Sequence, residues 1–288
     1  MKSKKDSMEY ICNDLSNEEI LLKRKQKEEL CCKAFNDGIG DLNKLDNYNC
    51  DKCKNKGNIM YVQQSNDTFY SVCKPCECQI KRAVLRKLKN SGLSKKVYSC
   101  TFDKYEAKEK WQKTLKETAI RFTKDSNKWF YIGGQSGCGK THLCTAICSY
   151  YIDQNKYVSY MQWKDDSTEL KSNINTEKYS KMIQSLKTVD VLYIDDLFKT
   201  TKDQNGNLLR PSGADILLAF EILNNRYNND LLTIISSERT IDEIIDIDEA
   251  IGGRIFEMCS DNGYLISMNK DIKKNYRLKK TINRYFDR

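Results

Sequence analysis

Short apolar runs alternate with longer amphipathic segments through the second half of the chain. The runs have the length of buried strands and fall at residues 129–132, 157–161, 189–194 and 231–235. Segments with helical periodicity follow them, at residues 142–148, 162–187, 213–229 and 248–258. Strands that alternate with helices in this way predict an α/β domain with a parallel sheet flanked by helices.

The first third of the chain has a different pattern, in which a β-hairpin lies between two helices. Ser16 and Glu19 form a capping box that predicts a helix up to about residue 35. Alternating runs on either side of a polar turn predict the hairpin, at residues 59–62 and 69–72. We therefore predict an N-terminal domain over residues 1–92, a linker over residues 93–108 and the α/β domain over residues 109–288.

Composition and charge narrow the class of protein. The 288 residues carry 49 Lys+Arg against 40 Asp+Glu, and this net charge of +9 weakly favours an anionic partner. No run of about 18 apolar residues occurs, so no membrane span is expected. The first residues are basic and polar, without the apolar stretch of a signal peptide. The 13 cysteines are therefore expected to be reduced, as in cytoplasmic proteins.

A glycine-rich motif, the phosphate loop, lies between the first strand of the α/β domain and the helix after it. Residues 133–141 read GGQSGCGKT and match the pattern G-x-x-x-x-G-K-[ST]. Glycines there let backbone N–H groups converge on phosphates at a helix N-terminus. Lys140 is predicted to reach the β- and γ-phosphates, and Thr141 to hold Mg²⁺. The predicted nucleotide-binding residues of this segment are Gly134, Gln135, Ser136, Gly137, Cys138, Gly139, Lys140, Thr141 and His142.

Two acidic residues, Asp195 and Asp196, directly follow the strand at 189–194. They are expected to lie at the end of that strand beside the phosphate loop. Asp195 is predicted to hold the hydrated Mg²⁺, and Asp196 to orient and activate the attacking water. Both roles require a position at the C-terminal tip of a parallel strand. The pair is common by chance, but its occurrence downstream of Lys140 makes the prediction strong.

Polar residues also follow the strand at 231–235. Ser236 and Ser237 are predicted to sense the γ-phosphate, and ordinary capping of the strand end is the alternative. Arg254, on the last predicted helix, is a candidate arginine finger. An ordinary surface arginine is the alternative for that residue.

Five cysteines cluster within 29 residues of the N-terminal domain. Two pairs of thiolates on turns complete a tetrahedral Zn²⁺ site in a zinc ribbon, and the hairpin lies between the pairs. Cys50 and Cys53 supply one pair, whereas Cys73, Cys76 and Cys78 offer three candidates for the other. Four sulfur ligands leave no open position, so the site is predicted to be structural. A group of free, partly buried cysteines is the alternative.

Lys and Arg are concentrated in two further segments. Residues 79–96 carry seven basic residues and no acidic one, on a predicted amphipathic helix. Residues 270–288 carry eight, with aromatic residues among them. For the helix, a solvated face is the commoner explanation, and contact with nucleic acid is the alternative. For residues 270–288, basic residues interleaved with aromatic ones suit single-stranded nucleic acid, and an exposed terminal tail explains them at least as well.

Taken with these motifs, the chain resembles the bacterial and phage replicative helicase loaders of the DnaC/DnaI type. These belong to the AAA+ class, which also includes IstB-like transposition ATPases. The resemblance covers nearly the whole chain and rests on GGQSGCGKTHL, LYIDDLF, TIISSERT, DIDEAIGGRIFEM and NYRLKK, and on CDKC and PCEC followed by the basic helix. The first two motifs are common to ATP-binding proteins at large. The cysteine motifs and the helix of Arg254 make the match specific.

The resemblance implies an AAA+ ATPase domain preceded by a small helical, zinc-ribbon-like domain. The N-terminal domain would bind the hexameric replicative helicase, and the ATPase domain would bind ATP with Mg²⁺, single-stranded DNA and further copies of itself. Arg254 of one subunit would reach the γ-phosphate that Lys140 of the next one holds. The PCEC match favours Cys76 and Cys78 over Cys73 as zinc ligands.

The resemblance also implies a role for one further residue, and two residues differ from the usual family pattern. Arg277 is a candidate for a second arginine that contacts the nucleotide. Glu238 stands where the family usually has asparagine, which leaves the sensor role open between Ser236 and Ser237. Asp196 stands where many AAA+ enzymes have glutamate, and its shorter side chain suits slow, switch-like hydrolysis.

The implied function is ATP-dependent loading of the replicative helicase onto single-stranded DNA during replication initiation. The expected location is the cytoplasm of a bacterial or phage-infected bacterial cell. Two alternatives stay open: an IstB-like transposition helper ATPase, and a zinc-containing DNA-binding protein that uses ATP only as a structural ligand.

Overall fold

The computed structural model describes residues 17–65, 68–89, 99–125, 129–201, 203–205, 209–261, 263–276 and 278. The chain divides into two compact units, with the boundary between Arg82 and Ala83. The predicted linker at residues 93–108 stays a prediction, and its first residues lie outside the described ones. Among the helices of the described ranges, none has the length and apolar character that a membrane crossing needs.

The first unit is built on one hairpin packed against one long helix. Its elements are α1 (Asn17–Asp37), α2 (Asn43–Asp46), β1 (Asn58–Ser65), β2 (Thr68–Pro75) and the start of α3 (Cys78–Lys89). β1 and β2 pair antiparallel, as predicted. The Asn36 side chain at the end of α1 bonds both the N–H and the C=O of Met60, at 3.0 and 2.8 Å. Ser16, the predicted cap of α1, lies outside the described residues.

The second unit contains a five-stranded sheet in which every pairing is parallel. Its strands are β3 (Trp129–Gly134), β4 (Val158–Gln162), β5 (Val191–Asp195), β6 (Leu232–Ser236) and β7 (Leu265–Met268), in the order β4-β5-β6-β3-β7. All residues of β3 are buried, as expected for a continuous apolar run covered on both faces. The predicted α/β class, with a zinc-ribbon-like unit that precedes the sheet in the sequence, is confirmed.

Helices connect these strands. They are α4 (Lys110–Lys124), α5 (Lys140–Asp153), α6 (Trp163–Ser172), α7 (Glu177–Thr188), α8 (Gly213–Asn228), α9 (Ile241–Ile247) and α10 (Glu249–Ser260). The segment predicted as one helical stretch at 162–187 is two helices, and Asn175 between them has a φ of +68°. α9 was not predicted, although its capping box of Thr240 and Glu243 is visible in the sequence.

The parallel arrangement places the C-terminal ends of the central strands along one edge of the sheet. The register pairs Ile132 of β3 with Ser236 of β6, and Gln162 of β4 with Asp195 of β5. The phosphate loop leaves β3 at this same edge and leads into α5. The predicted nucleotide-binding residues therefore come from neighbouring strand ends, where open α/β sheets bind their ligands.

Candidate functional site

Glycines set the shape of the phosphate loop at both of its ends. Gly134 has a φ of +97°, and a Cβ there would lie 1.8 Å from the Met268 carbonyl oxygen. Gly139 has a φ of +98° and is the N-cap residue of α5. Only glycine adopts these angles without strain, so the conformation of the loop requires glycine at both positions. The loop ends at the N-terminus of a helix, where anions are favoured.

Lys140 is folded into the loop. Its side chain is 6% exposed, and its Nζ donates to the carbonyl oxygens of Gly134 and Gln135 at 2.9 and 2.8 Å. Phosphate oxygens accept stronger, charge-assisted hydrogen bonds than these neutral carbonyls. An anion in the loop would therefore attract the ammonium group.

Four hydroxyl groups converge on the buried carboxylate of Asp195. Its Oδ1 accepts from Ser236 at 2.6 Å, from Tyr193 at 2.7 Å and from Thr141 at 3.3 Å. Its Oδ2 accepts from Tyr160 at 2.9 Å. Burial, reinforced by the charge of Asp195, raises the pKa of Tyr160 and of Tyr193, so both phenols remain hydrogen-bond donors. Thr141 and Asp195, the two predicted Mg²⁺ ligands, are therefore in direct contact.

Asp196 lies in a tight turn directly after β5. Its φ is +57°, and its N–H donates to Ser236 Oγ at 3.1 Å. Its Oδ2 accepts from Lys199 Nζ at 2.6 Å, and the same Nζ lies 3.2 Å from Glu238 Oε1. Burial alone would lower the pKa of Lys199, but the bond and charge of Asp196, together with Glu238, raise it. The sequence patterns missed Lys199, because a lone lysine after an acidic pair carries no local signal.

Ser236 and Ser237 are both fully buried and face different partners. Ser236 bridges the carboxylate of Asp195 and the N–H of Asp196. Ser237 donates to the Leu197 carbonyl at 2.8 Å and accepts from the Arg239 N–H at 3.1 Å. Their predicted role as γ-phosphate sensors stays a prediction. In this structure, both hydroxyls organise the turn that carries Asp196.

A cavity of about 450 Å³ opens over the phosphate loop. Its volume lies in the range of small-molecule sites. The phosphate loop, the start of α5 and the turns after β5 and β6 contribute Ser136, Gly137, Cys138, Gly139, Lys140, Thr141, His142, Asp196, Lys199 and Glu238. The other lining residues are Cys100, Lys104, Tyr105, Glu106, Gln112 and Tyr276. Most of the predicted nucleotide-binding residues therefore surround one cavity.

Four of the other lining residues, Cys100, Lys104, Tyr105 and Glu106, belong to the segment predicted to be a linker. The Tyr105 ring packs edge-on against His142, with centroids 5.3 Å apart, and its hydroxyl donates to the Cys138 carbonyl at 3.4 Å. A ring nitrogen of His142 lies 2.8 Å from the Thr101 carbonyl oxygen. These contacts join sequence-distant segments, so no local pattern could reveal them.

The segment after β7 also contacts the phosphate loop. Tyr276 donates its backbone N–H to the Gly137 carbonyl at 2.9 Å and its hydroxyl to Glu106 at 2.8 Å. The Gln135 side chain accepts from the Asp271 N–H at 2.7 Å. Arg277, the predicted second arginine, lies outside the described residues.

Arg254 lies on α10 and does not line the cavity of its own chain. Its guanidinium stacks on Phe220 and Tyr227 of α8, at 5.1 and 5.4 Å from the ring centroids. Its Nη1 donates to the Ala250 carbonyl at 2.7 Å. The prediction that it acts on a neighbouring subunit stays a prediction.

In the first unit, four cysteine sulfurs form a compact group, the cysteine cluster. Cys50, Cys53, Cys76 and Cys78 are all buried, and their sulfurs lie within 4.8 Å of one another. The distances are 3.9 Å between Cys50 and Cys76 and 3.5 Å between Cys53 and Cys78. Zn–S bonds of about 2.3 Å in a tetrahedron place sulfurs roughly 3.8 Å apart. The cluster is therefore compatible with zinc, whereas Cys73 is exposed in β2 and stands apart from it.

Backbone and charged groups surround the cysteine cluster. The Gly57 N–H donates to Cys53 Sγ at 3.2 Å, a bond that favours the thiolate form of this cysteine. Arg82 is fully buried and bonds Asp46 at 2.6 Å, Asn55 at 2.8 Å and the side chain of Cys78. Arg82 was counted among the basic residues of the amphipathic helix in residues 79–96, whose basic surface was interpreted as a solvated face or, alternatively, as a nucleic-acid contact. Its burial removes it from that surface and places it beside the cluster.

Comparison with known proteins shows which family the chain resembles. Residues 101–259 match the family of the bacterial DnaA ATPase domain. The uncharacterized protein YqaM of Bacillus subtilis (strain 168) is 33% identical over 233 residues, which cover 77% of this chain and 72% of YqaM. The phage-like element PBSX protein XkdC of the same organism is 33% identical over 232 residues, covering 76% of this chain and 82% of XkdC.

The chain is also similar, over a shorter range, to a protein named as a replicative helicase loader. The replicative helicase loader DnaC of Buchnera aphidicola subsp. Acyrthosiphon pisum (strain APS) is 28% identical over 128 residues, covering 41% of this chain and 51% of that loader. The family match is broader: it spans more than half of the chain and includes Lys140, Asp195 and Arg254. Membership of this ATPase family supports ATP binding at the cavity. The chain therefore belongs to the bacterial DnaA ATPase domain family, and its predicted relationship to the AAA+ helicase loaders of the DnaC/DnaI type is confirmed.

Proposed function

We propose that this protein loads the replicative DNA helicase onto single-stranded DNA in an ATP-dependent step of replication initiation. The observation that carries the proposal is the presence of two sites in one chain of this family. The cysteine cluster lies in the first unit, and the phosphate loop with Asp195 lies in the second. The partial match to a protein named replicative helicase loader supports the same function. The proposed location is the bacterial cytoplasm, including that of a phage-infected cell.

The residues around the cavity have the chemistry that ATP hydrolysis needs. Lys140 would exchange the carbonyl oxygens of Gly134 and Gln135 for those of the β- and γ-phosphates. Thr141 and Asp195 would hold Mg²⁺, which neutralises charge on the phosphates. Asp196 would orient the attacking water from its turn after β5. Asp195 would need no rearrangement to hold Mg²⁺, because hydroxyl groups already fix the orientation of its carboxylate.

Hydrolysis would be completed by a second copy of the chain. Arg254 lies outside the cavity of its own subunit, which is compatible with a role in the site of a neighbouring one. Self-association through the ATPase domain would then couple nucleotide binding to assembly. The first unit, held together by Zn²⁺ in the cysteine cluster, would bind the helicase. The second unit would contact single-stranded DNA.

The proposal is tested by mixing the purified protein with the replicative helicase of its host and measuring complex formation by light scattering. We expect a complex, and ATP-dependent binding of a fluorescent single-stranded oligonucleotide. Lys140→Ala should keep the helicase complex and lose the ATP-dependent DNA binding. The absence of a complex both with and without ATP would exclude a loader.

Two outcomes of the same experiment would favour the alternatives. Association with a transposase, in place of the helicase, would indicate an IstB-like transposition helper. DNA binding that Lys140→Ala leaves unchanged would indicate a protein in which ATP is only a structural ligand.

A further inference from the structure

Lys199 joins two carboxylates that line the cavity, those of Asp196 and Glu238. We infer that Lys199 contacts the γ-phosphate of bound ATP, and that Glu238 holds it in place for this contact. The inference rests on the proposed binding of ATP in this cavity. It adds a residue that distinguishes ATP from ADP within a single subunit.

The position of Lys199 is set by the turn that follows β5. Its N–H donates to the Asp196 carbonyl at 2.9 Å, and both Asp196 and Phe198 have positive φ values. Phe198 is fully buried and packs edge-on against Trp163, with centroids 5.5 Å apart. The backbone of the turn is thereby anchored. A change in the contacts of Lys199 can therefore occur in its side chain alone.

Lys199 neutralises charge where a triphosphate would otherwise meet two carboxylates. Asp196 follows β5, Glu238 follows β6, and both line the cavity together with Lys140. Two carboxylates facing the same volume would repel the γ-phosphate. Lys199 lies 2.6 Å from one and 3.2 Å from the other, and so offsets part of this repulsion.

The number of donors on the Lys199 ammonium group allows it to exchange one hydrogen-bond partner when ATP binds. The group has three N–H donors, and the two carboxylates accept only two of them in this structure. A γ-phosphate brings further acceptor oxygens and more negative charge than a single carboxylate. Lys199 would keep Glu238 and transfer its bond from Asp196 to the phosphate. Asp196 would then be free to orient water, whereas with ADP it would remain bound to Lys199.

The test compares the affinities of ATP and ADP in variants of the full chain. Isothermal titration in the presence of Mg²⁺ would use a non-hydrolysable ATP analogue and ADP. In Lys199→Met, we expect affinity for the analogue to fall about ten- to hundredfold, the range of a charged hydrogen bond, and affinity for ADP to change by less than about twofold. Lys187→Met is the matched control, since Lys187 pairs with Glu221 at 2.6 Å and lies outside the cavity lining.

Glu238→Gln provides a second, independent variant that removes charge without removing the lysine. We expect it to bind the analogue at least as tightly as the unmodified protein does, because the new side-chain amide oxygen can still accept from Lys199 and hold it in place while one repelling negative charge is gone. In the Lys199→Met/Glu238→Gln double variant, part of the lost affinity should return, because one repelling carboxylate is gone.

Each outcome separates this inference from the proposed function. Equal losses for the analogue and ADP in Lys199→Met, or no loss for either, would overturn the role of Lys199 while leaving ATP binding intact. If Lys199→Met fails to fold, weaker binding of the analogue to Glu238→Gln would overturn it instead. An unmodified protein that binds neither nucleotide would refute the proposed function, and the inference with it.

Discussion

Tyr160 of β4 donates a hydrogen bond of 2.9 Å to Asp195 at the end of β5, and the register of the two strands makes this contact possible. Tyr160 pairs with Tyr193, and Gln162 pairs with Asp195. Because side chains alternate along a strand, Tyr160, Tyr193 and Asp195 lie on the same face of the sheet. The carboxylate predicted to hold Mg²⁺ is therefore oriented in part by Tyr160, a residue outside the sequence motifs.

Removal of the Tyr160 hydroxyl should weaken the binding of the Mg²⁺ that ATP hydrolysis requires. In Tyr160→Phe, Asp195 Oδ2 loses the hydrogen bond from the Tyr160 hydroxyl, and a hydrogen bond to a charged group is worth about 1.5–3 kcal/mol. We expect the Mg²⁺ concentration for half-maximal ATP hydrolysis to rise about tenfold, while ring packing is kept. Steady-state hydrolysis measured over a Mg²⁺ series tests this.

Tyr150→Phe serves as the control for that substitution. Tyr150 packs against Tyr151 on α5 and is absent from the cavity lining, so its Mg²⁺ dependence should match that of the unmodified protein. Equal Mg²⁺ curves for all three proteins would show that Tyr160 does not position Asp195.

A methyl group at Gly134 should disrupt the phosphate loop. In Gly134→Ala, the new Cβ would meet the Met268 carbonyl oxygen at 1.8 Å, at a φ that alanine rarely adopts. We expect a loss of about 2–4 kcal/mol in the free energy of unfolding and no measurable nucleotide binding. Urea denaturation and nucleotide titration measure the two effects.

Gly253 offers a control with the opposite expectation. It lies in α10, and a Cβ there would have no atom within 4 Å. Gly253→Ala should therefore stabilise the protein by about 0.5–1 kcal/mol, through helix propensity. If both alanine variants unfolded alike, the close approach at Gly134 would not be the cause.

The sequence predicts the parts of the site that depend on local pattern, and it misses those that depend on distant contacts. The four apolar runs and the motif around Lys140 identified strands and loop correctly, because periodicity and glycine spacing are local properties. β7 was not predicted, because its four residues include Ser267 and form no continuous apolar run. Tyr105 and Lys199 reach the cavity through turns whose direction only the folded chain determines.

The choice of the second pair of zinc ligands also depended on contacts that a local pattern does not reveal. Spacing alone left Cys73, Cys76 and Cys78 equivalent as a second pair of zinc ligands. Cys73 pairs with Met60 within the hairpin, whereas the Cys76 N–H bonds the Gly57 carbonyl at 2.7 Å, after β2 has ended. The end of the strand therefore decides which sulfurs face Cys50 and Cys53.

Zinc content should distinguish these cysteines. We expect about one zinc ion per chain after dialysis, because four sulfurs form one closed tetrahedral site. Cys78→Ser should lose most of this zinc, while Cys73→Ser should retain it, since Cys73 is exposed and outside the cluster. Plasma mass spectrometry of the three proteins measures the ratio. Zinc loss in Cys73→Ser with retention in Cys78→Ser would reverse the assignment of ligands.

Arg82 should stabilise both the fold of the first unit and the retention of zinc. A divalent ion with four thiolates carries a net charge of about −2, and the buried guanidinium bonded to Cys78 offsets part of it. Arg82→Met also leaves Asp46 buried without its partner, which costs about 3–5 kcal/mol in the free energy of unfolding. Urea denaturation should show this loss, and a colorimetric chelator should remove zinc faster than from the unmodified protein.

The Asp46→Leu/Arg82→Met double variant separates the two effects. Replacing a buried ion pair by apolar side chains is often neutral for stability, so the free energy of unfolding should largely recover. Zinc release should stay fast, because the positive charge beside Cys78 is still missing. Lys52→Ala, which breaks the exposed Lys52–Glu77 pair at 2.9 Å in the same unit, should change neither quantity measurably. Slow zinc release from the double variant would mean that Arg82 acts only on the fold, and the charge compensation assigned to it would be wrong.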